Sequence, residues 1–117
     1  VVGSGTTTTE TMLQKYPDLN GIICYGDAAA VESVEAVKAA GRDNENFGVF
    51  ACDGTNQALK GINDGTCMRG TMYFEPVGTV MANCIDELLD GKTFDEAVES
   101  PIHSVTAANI SDYYKAE

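Results

Sequence analysis

Apolar and polar positions form blocks along this chain of 117 residues, and the spacing of the apolar residues changes from block to block. Short apolar runs at 21–25, 47–52, 68–72 and 101–105 predict β-strands, because they are too short for helices and rich in β-formers. Between them, apolar residues recur every three or four positions, as on the buried side of an α-helix. Strands alternating with helices of this length predict a parallel sheet with right-handed crossovers. The run 47–52 is apolar at nearly every position, which predicts helices on both faces of the sheet.

Residues at the predicted helix ends match the usual capping preferences. Thr7 and Glu10 fit a capping box, in which each side chain binds the backbone N–H of the other residue. Asp27 opens the second helix and could cap its first amides, and Thr55 could cap the third helix. Pro76 fits the first position of the fourth helix. The helical residues predicted to face the core are Met12, Leu13, Tyr16, Val31, Val34, Val37, Ala58, Leu59 and Ile62.

The charge balance restricts the possible partners. The chain has 18 acidic and 7 basic residues, which give a net charge of −11. Nucleic-acid backbones and anionic membrane surfaces require clustered Lys and Arg, so neither is an expected partner. No apolar run approaches the roughly 20 residues of a membrane helix, and we expect no membrane insertion of this segment.

The cysteines predict neither a metal site nor a redox motif. Cys24, Cys52, Cys67 and Cys84 are widely spaced, and His103 is the one histidine, so a zinc ligand set is not available. Each cysteine lies in an apolar stretch, which favours buried free thiols over a disulfide. We expect no metal and no cofactor.

Two aspartates follow predicted strands, where a parallel sheet binds its ligands. A helix cap would explain Asp27, whereas Thr55 is better placed than Asp53 to cap the next helix. Gly54 lets the backbone bend beside Asp53 and leaves room at its carboxylate. A carboxylate can accept two hydroxyl hydrogen bonds, so Asp53 is a candidate contact for a polyol.

An enzymatic alternative also exists. The segment 50–55 resembles the strand-end signature of haloacid-dehalogenase-type phosphatases, in which an aspartate two residues before Asp53 is the nucleophile. That position is Ala51, which cannot form an acyl-phosphate. The chain also lacks a G-x-S-x-G elbow, a phosphate-binding P-loop and a dinucleotide fingerprint. We therefore expect a binding protein and not an enzyme, with the phosphatase as the less favoured interpretation.

Six segments in order resemble the type I periplasmic sugar-binding proteins, of which ribose-binding protein is typical. Their residues cover almost the whole chain with the family's spacing. They are Leu13-x-x-Tyr16-Pro17-Asp18-Leu19-Asn20-Gly21-Ile22, Gly26-Asp27, Ala36 to Gly41, Asp53-Gly54-Thr55 with the following helix to Gly65, Thr71 to Pro76, and Ser104 to Ile110.

The resemblance implies an incomplete second lobe of a two-lobed α/β fold. Residues 1–75 would be part of the C-terminal ligand-binding lobe, 76–95 a helix that packs on the missing N-terminal lobe, and 96–117 a return segment with a terminal helix around 110–114. The intact protein would be the sugar receptor of an ABC importer, would contact its permease, and would lie in the periplasm or on a Gram-positive surface as a lipoprotein. The chain alone would bind sugar poorly, and its exposed apolar helix could cause self-association.

The resemblance also implies candidate site residues. Asp53 matches the aspartate that binds sugar hydroxyls, Gly26 stands where ribose binders have an asparagine, and Phe74 where they have a hinge glutamine. Tyr25 or Glu75 could supply replacement polar contacts. The expected ligand is therefore a sugar other than ribose, a polyol or a furanone-type signalling molecule. The candidate ligand-binding residues are Asp53, Gly26, Tyr25, Phe74, Asp27 and Glu75.

A regulatory alternative shares the same fold. Effector domains of lactose-repressor-type transcription regulators have this lobe architecture and follow a DNA-binding headpiece. The segment 101–109 is more similar to the transport receptors, which favours import over regulation.

Overall fold

A computed structural model describes residues 3–115, and it confirms the predicted α/β order. The elements are α1 (Ser4–Lys15), β1 (Gly21–Ile23), α2 (Asp27–Ala39), β2 (Gly48–Asp53), α3 (Asn56–Asn63), β3 (Met68–Phe74), α4 (Val77–Leu89), β4 (Ile102–Thr106) and a 3-10 turn (Ile110–Asp112). The chain divides into two compact units. One contains the residues up to Tyr73 and from Ser104 onward, and the other is Phe74–His103.

The four strands form one sheet in the order β1-β2-β3-β4. Strand β2 pairs in parallel with both β1 and β3, as the alternation of strands and helices predicts. The register between β2 and β3 shifts after Val49, and Arg69 is the additional residue on β3. Its guanidinium donates to the carbonyl oxygens of Phe47, at 3.1 Å, and Asn44, at 2.8 Å, which fixes the loop that leads into β2.

The core lies between one face of this sheet and the helices α2 and α3. Its buried residues are Ile22, Ala30, Val34, Val37, Phe47, Val49, Ala51, Ala58, Ile62, Cys67 and Met68. On the other face, Ile23 is 87%, Phe50 44% and Met72 40% exposed. Helix cover on both faces was therefore a wrong expectation for the described residues. Strand β2 is apolar on both sides, but only the alternate residues Val49 and Ala51 reach the core.

Helix α1 begins earlier than the sequence predicts. It starts at Ser4, after Gly3 with a φ of 91°, so Thr7 lies inside the helix and the capping box is wrong. A carboxylate from α2 binds the helix start instead. The two oxygens of Glu32 accept from the backbone N–H groups of Gly3, at 2.8 Å, and Gly5, at 2.9 Å. Two backbone N–H groups at the helix start are thus satisfied by a residue distant in the sequence.

The face that α1 buries is made of small residues. Gly5 and Thr9 are its buried positions, and a Cβ on Gly5 would lie 2.6 Å from the carbonyl oxygen of Ala29. Thr9 donates to the hydroxyl of Ser33 on α2 at 2.9 Å. Tyr16 is 50% exposed, so its predicted inward orientation is wrong. Met12 and Leu13 are partly buried and pack on the core.

Most of the other inward-facing predictions are confirmed. Val34, Val37, Ala58, Leu59 and Ile62 are buried, whereas Val31 is half-buried.

The unit Phe74–His103 contains α4. Pro76 is the N-cap of this helix and not its first residue, and no residue of α4 is buried. Its exposed apolar side chains are Val77, Met81, Ile85, Leu88 and Leu89.

The four cysteines are free, as predicted, but only Cys67 is buried and the other three are half-buried. Near the carboxyl end of the chain, the predicted helix around 110–114 is a single 3-10 turn, Ile110–Asp112. Within residues 3–115, no helix is long and apolar enough to cross a membrane.

Candidate ligand-binding site

The turn after β2 has a strained and tightly fixed backbone. Asp53 has a φ of 124°, the one positive φ outside glycine among the described residues. Gly54 follows with a φ of 75°, and a Cβ there would lie 2.5 Å from Tyr73 Cδ2 and 2.8 Å from Tyr73 Cα. The sharp bend predicted at Gly54 is confirmed, because neither the backbone angle nor the space admits a side chain.

The carboxylate of Asp27 fixes this turn by accepting hydrogen bonds from it. Asp27 is fully buried, and its Oδ2 accepts from the backbone N–H of Thr55 at 2.7 Å and from the Thr55 hydroxyl at 3.1 Å. Its Oδ1 accepts from the hydroxyl of Thr71 at 2.7 Å. The expected capping of Ala29 or Ala30 by this carboxylate is wrong. Asp27 is the first helical residue and not the N-cap, and its side chain reaches Thr55, in the turn after β2, and Thr71, on β3.

Two threonines complete the support of the turn. Thr71 is buried on β3, and its Oγ1 also accepts from the backbone N–H of Gly54 at 3.3 Å. Thr55 is the N-cap of α3, as predicted, and its hydroxyl oxygen accepts from the N–H of Ala58 at 3.4 Å. The orientation of Asp53 is therefore set by a buried network that includes Asp27.

The carboxylate of Asp53 lies at the start of α2. Its Oδ2 accepts from the backbone N–H of Asp27 at 3.2 Å, which satisfies one of the free amides of that helix. The N-cap residue Gly26 is extended and has no side chain to do so. Negative charge is favourable at a helix N-terminus, so α2 stabilises the Asp53 carboxylate in this position. Asp53 is exposed, and Oδ1 has no hydrogen-bond partner within residues 3–115.

The structure brings together three of the predicted site residues: Gly26, Asp27 and Asp53. Tyr25, which precedes them on the same edge, is fully exposed. Phe74 and Glu75 belong to the other compact unit, and their part in the site stays a prediction.

Sequence reasoning missed two residues that support the site. Tyr73 is the register partner of Asp53 on β3 and sets the space beside Gly54. Thr71 connects Asp27 to the turn. The available signal was a hydroxyl residue within a predicted strand, because a hydroxyl that the strand buries requires a partner.

The group that this site offers to a ligand is a hydrogen-bond acceptor, the carboxylate of Asp53. Residues 25–27 and 53–55 include no cationic side chain, and Ala51, at the nucleophile position of the phosphatase signature, is buried in the core. No group of three or more His, Cys, Asp or Glu side chains suited to a metal occurs in the described part of the chain. The arrangement can accept hydrogen bonds from hydroxyl groups of a bound molecule.

The chain matches the family described as "Periplasmic binding protein domain" over residues 3–93. It is 28% identical over 100 residues to the ribose import binding protein RbsB of Bacillus subtilis, a match that covers 84% of this chain and 32% of that protein. It is 29% identical over 108 residues to the fructose import binding protein FruE of Bifidobacterium longum, covering 91% and 33% respectively. The chain thus spans about a third of the length of these relatives.

Solved structures have the same fold. A myo-inositol binding protein from Caulobacter, solved with myo-inositol, superposes with a TM-score of 0.74 and 26% identity, over 92% of this chain and 38% of that one. An ABC transporter solute binding protein from Agrobacterium vitis, solved with allitol, has a TM-score of 0.80 and 20% identity, over 95% and 40%. The second likeness shows the fold alone.

Proposed function

Because the chain belongs to the periplasmic binding protein family, we propose that it forms part of the solute-binding component of an ABC importer. The ligand would be a sugar or polyol, held by hydrogen bonds and released unchanged. The relatives named for ribose and fructose import and the structure with myo-inositol support this class of ligand. The intact protein would act outside the cytoplasm and deliver its ligand to a permease.

The observation that carries this proposal is the position of Asp53. It is an exposed carboxylate at the carboxyl end of a parallel strand, where ligands of such sheets bind. One of its oxygens binds the start of α2, and the other is available for a ligand hydroxyl. No cation lies in the two segments beside it, which favours a neutral polyhydroxyl compound over an anionic one. Tyr25, Phe74 and Glu75 are proposed as further contacts.

Calorimetry with D-ribose, D-fructose, myo-inositol and allitol tests the proposal. Binding is measured on this chain and on the longest reading frame that contains it, because a cleft between two lobes needs both. We expect Asp53→Ala to weaken binding by about 2–4 kcal/mol, since ligand hydroxyls lose a charged acceptor.

The matched control is Asp18→Ala, which removes an exposed aspartate from the loop before β1. Circular dichroism verifies that both variants fold. Unchanged affinity in Asp53→Ala would remove this residue from the site. The proposed function would be contradicted if the longer protein bound none of the four compounds. Turnover of a phosphate ester with magnesium would contradict it as well.

The exposed apolar side of α4 supports a second part of the proposal. None of its residues is buried, and five large apolar side chains lie on its surface. We propose that this helix packs on the other lobe in the intact protein and causes self-association when that lobe is absent. Light scattering of the 117-residue chain at micromolar concentration should show oligomers, and replacement of Met81 and Ile85 by Glu should give monomers. A monomer before replacement would exclude self-association.

A further inference from the structure

We propose that Tyr113, near the carboxyl end of the chain, is a positioning residue for Asp53 and acts through the ring of Tyr73. Its effect on ligand affinity rests on the proposed function, whereas the arrangement of the two rings is a property of the ligand-free chain. All three residues belong to the compact unit that contains the candidate site.

Tyr73 lies against the turn that carries Asp53. It is the register partner of Asp53 on β3, and a Cβ built on Gly54 would lie 2.5 Å from its ring carbon Cδ2 and 3.0 Å from its Cβ. Asp27 and Thr71 fix the amides of this turn, and the Tyr73 side chain limits where the α-carbon of Gly54 can lie. A rotation of the Tyr73 ring would therefore change the space at Gly54 and move the backbone of Asp53 next to it.

The ring of Tyr73 is held by a second ring. Tyr73 is half-buried, and the chain leaves this compact unit at the next residue, Phe74. The Tyr73 ring packs on that of Tyr113, with the centroids 5.2 Å apart and the ring planes tilted by 55°. Aromatic pairs are favourable at separations of about 4.5–7 Å when the rings are offset or tilted. Tyr113 thus stabilises the orientation of Tyr73 that contacts Gly54.

Tyr113 itself has a defined position at the end of the 3-10 turn. Its backbone N–H donates to the carbonyl oxygen of Ile110 at 3.1 Å, and Ile110 packs on the core. Asn109 connects the turn to β4. Its side-chain oxygen accepts from the N–H of Thr106 at 2.9 Å, and its side-chain amide donates to the carbonyl oxygen of Ser104 at 3.0 Å. The carboxyl-terminal segment therefore supports the site through the two rings.

The consequence for binding concerns the geometry of the ligand hydrogen bonds. A hydrogen bond weakens when its donor and acceptor leave the preferred distance and angle, so a small displacement of the Asp53 carboxylate lowers affinity although the carboxylate is still present. An aromatic pair changes an equilibrium constant by a factor of about two to ten. We expect loss of the Tyr113 ring to weaken binding within this range, which is less than the effect of removing Asp53 itself.

NMR of the 117-residue chain tests the ligand-free arrangement. The ring current of Tyr73 should separate the two α-proton resonances of Gly54, because one of these protons points towards the ring. Tyr113→Ala should reduce this separation, and Tyr113→Phe should retain it. The Thr55 amide, which donates to Asp27, should keep its hydrogen-exchange rate in both variants, since the fold is retained.

The matched control is Tyr114→Ala, which removes the next aromatic ring on the same turn. Tyr114 lines a groove with Asn56 and Lys60 of α3, so the Gly54 resonances should not change. An unchanged Gly54 separation in Tyr113→Ala, or an equal decrease in Tyr114→Ala, would overturn the proposal. If Tyr113→Ala does not fold, Tyr113→Leu gives the same comparison, because leucine keeps an apolar side chain but has no ring.

The effect on affinity is measured by calorimetry with the same four sugars and polyols on the longer protein. Tyr113→Ala should weaken the compound that binds best by about two- to tenfold, whereas Tyr113→Phe and Tyr114→Ala should leave its affinity unchanged. In the Asp53→Ala background, Tyr113→Ala should have little additional effect, because Tyr113 acts through Asp53.

An equal loss of affinity from Tyr113→Ala with and without Asp53 would overturn the positioning role. Absence of binding by the unmodified longer protein would instead contradict the proposed function. The Gly54 resonances would still decide whether Tyr113 positions the turn.

Discussion

Replacement of Asp27 by alanine should be the most destabilising single change at this edge of the sheet. The carboxylate is fully buried and accepts three hydrogen bonds, from the Thr55 amide, the Thr55 hydroxyl and the Thr71 hydroxyl. In Asp27→Ala the exposed Thr55 hydroxyl can bind water. The Thr55 amide and the Thr71 hydroxyl would lose their acceptor, at about 1–3 kcal/mol each. We expect a loss of about 3–5 kcal/mol, which is a large part of the roughly 5–15 kcal/mol that stabilises a domain.

Asp27→Asn provides the graded comparison. The asparagine oxygen can still accept from the Thr55 amide, and its NH₂ group can donate to Thr71 Oγ1, because a hydroxyl rotates to accept. The three contacts that the charge assists in the wild type become neutral but are kept, so we expect a loss of about 1–2 kcal/mol. Urea unfolding followed by far-ultraviolet circular dichroism measures these differences, since the chain has no tryptophan.

Two controls separate the network from general effects of charge removal. Asp18→Ala deletes an exposed aspartate and should leave the free energy of unfolding unchanged within about 0.5 kcal/mol. Asp53→Ala deletes the cap of α2 and should cost about 0.5–2 kcal/mol. A loss below about 1 kcal/mol in Asp27→Ala, or equal losses in the alanine and asparagine variants, would refute the assignment of Asp27 as the support of the turn.

Three further predictions concern other parts of the same unit. Gly54→Ala should lower the free energy of unfolding by about 2–4 kcal/mol in urea denaturation, because a Cβ at positive φ would contact the Tyr73 backbone. An unchanged free energy of unfolding would contradict the close approach of Tyr73 to Gly54. Glu32→Ala should raise hydrogen exchange at the Gly5 amide, whereas Glu35→Ala, exposed on the same helix, should not. Burial raises the pKa of the Cys67 thiol to about 12 from an ordinary value near 9. The unfolded chain then loses this proton at a lower pH than the folded chain does. The free energy of unfolding should therefore fall as the pH rises from 9 towards 12, and this decrease should be smaller in Cys67→Val.

The element order was predictable because the helical blocks of the sequence have a clear hydrophobic period and the apolar runs between them are too short for helices. The residues of α3 show this well, since Ala58, Leu59 and Ile62 recur at helical spacing and are all buried. The apolar run of β2 was ambiguous, because Phe50 and Val49 are equally apolar although only Val49 faces the core. Hydrophobicity alone does not show which face of a sheet is covered.

The helix caps could not be predicted in the same way, because two of them come from distant residues. Local rules search within about three positions of a helix start. The start of α1 is bound by Glu32, and the start of α2 by Asp53. Of the four α-helices within residues 3–115, only α3 is capped by the side chain of its own N-cap residue, Thr55, and this is the helix whose cap the sequence predicts correctly. When the capping side chain comes from another element, the sequence around the helix start has no pattern that reveals it.

The roles of Asp27 and Asp53 were exchanged in the prediction for the same reason. Both follow strands, and from sequence Asp27 is the better cap and Asp53 the freer ligand contact. In the structure Asp53 is the cap, and Asp27 is the buried group that fixes the turn. The two roles are compatible with a ligand at Asp53, because its second oxygen remains available. A ligand that draws this carboxylate away from α2 must replace the charge at the helix start, whereas one that binds the second oxygen leaves the cap intact. The protection of the Asp27 amide in the presence of a bound sugar distinguishes these two modes, and we expect it to be retained.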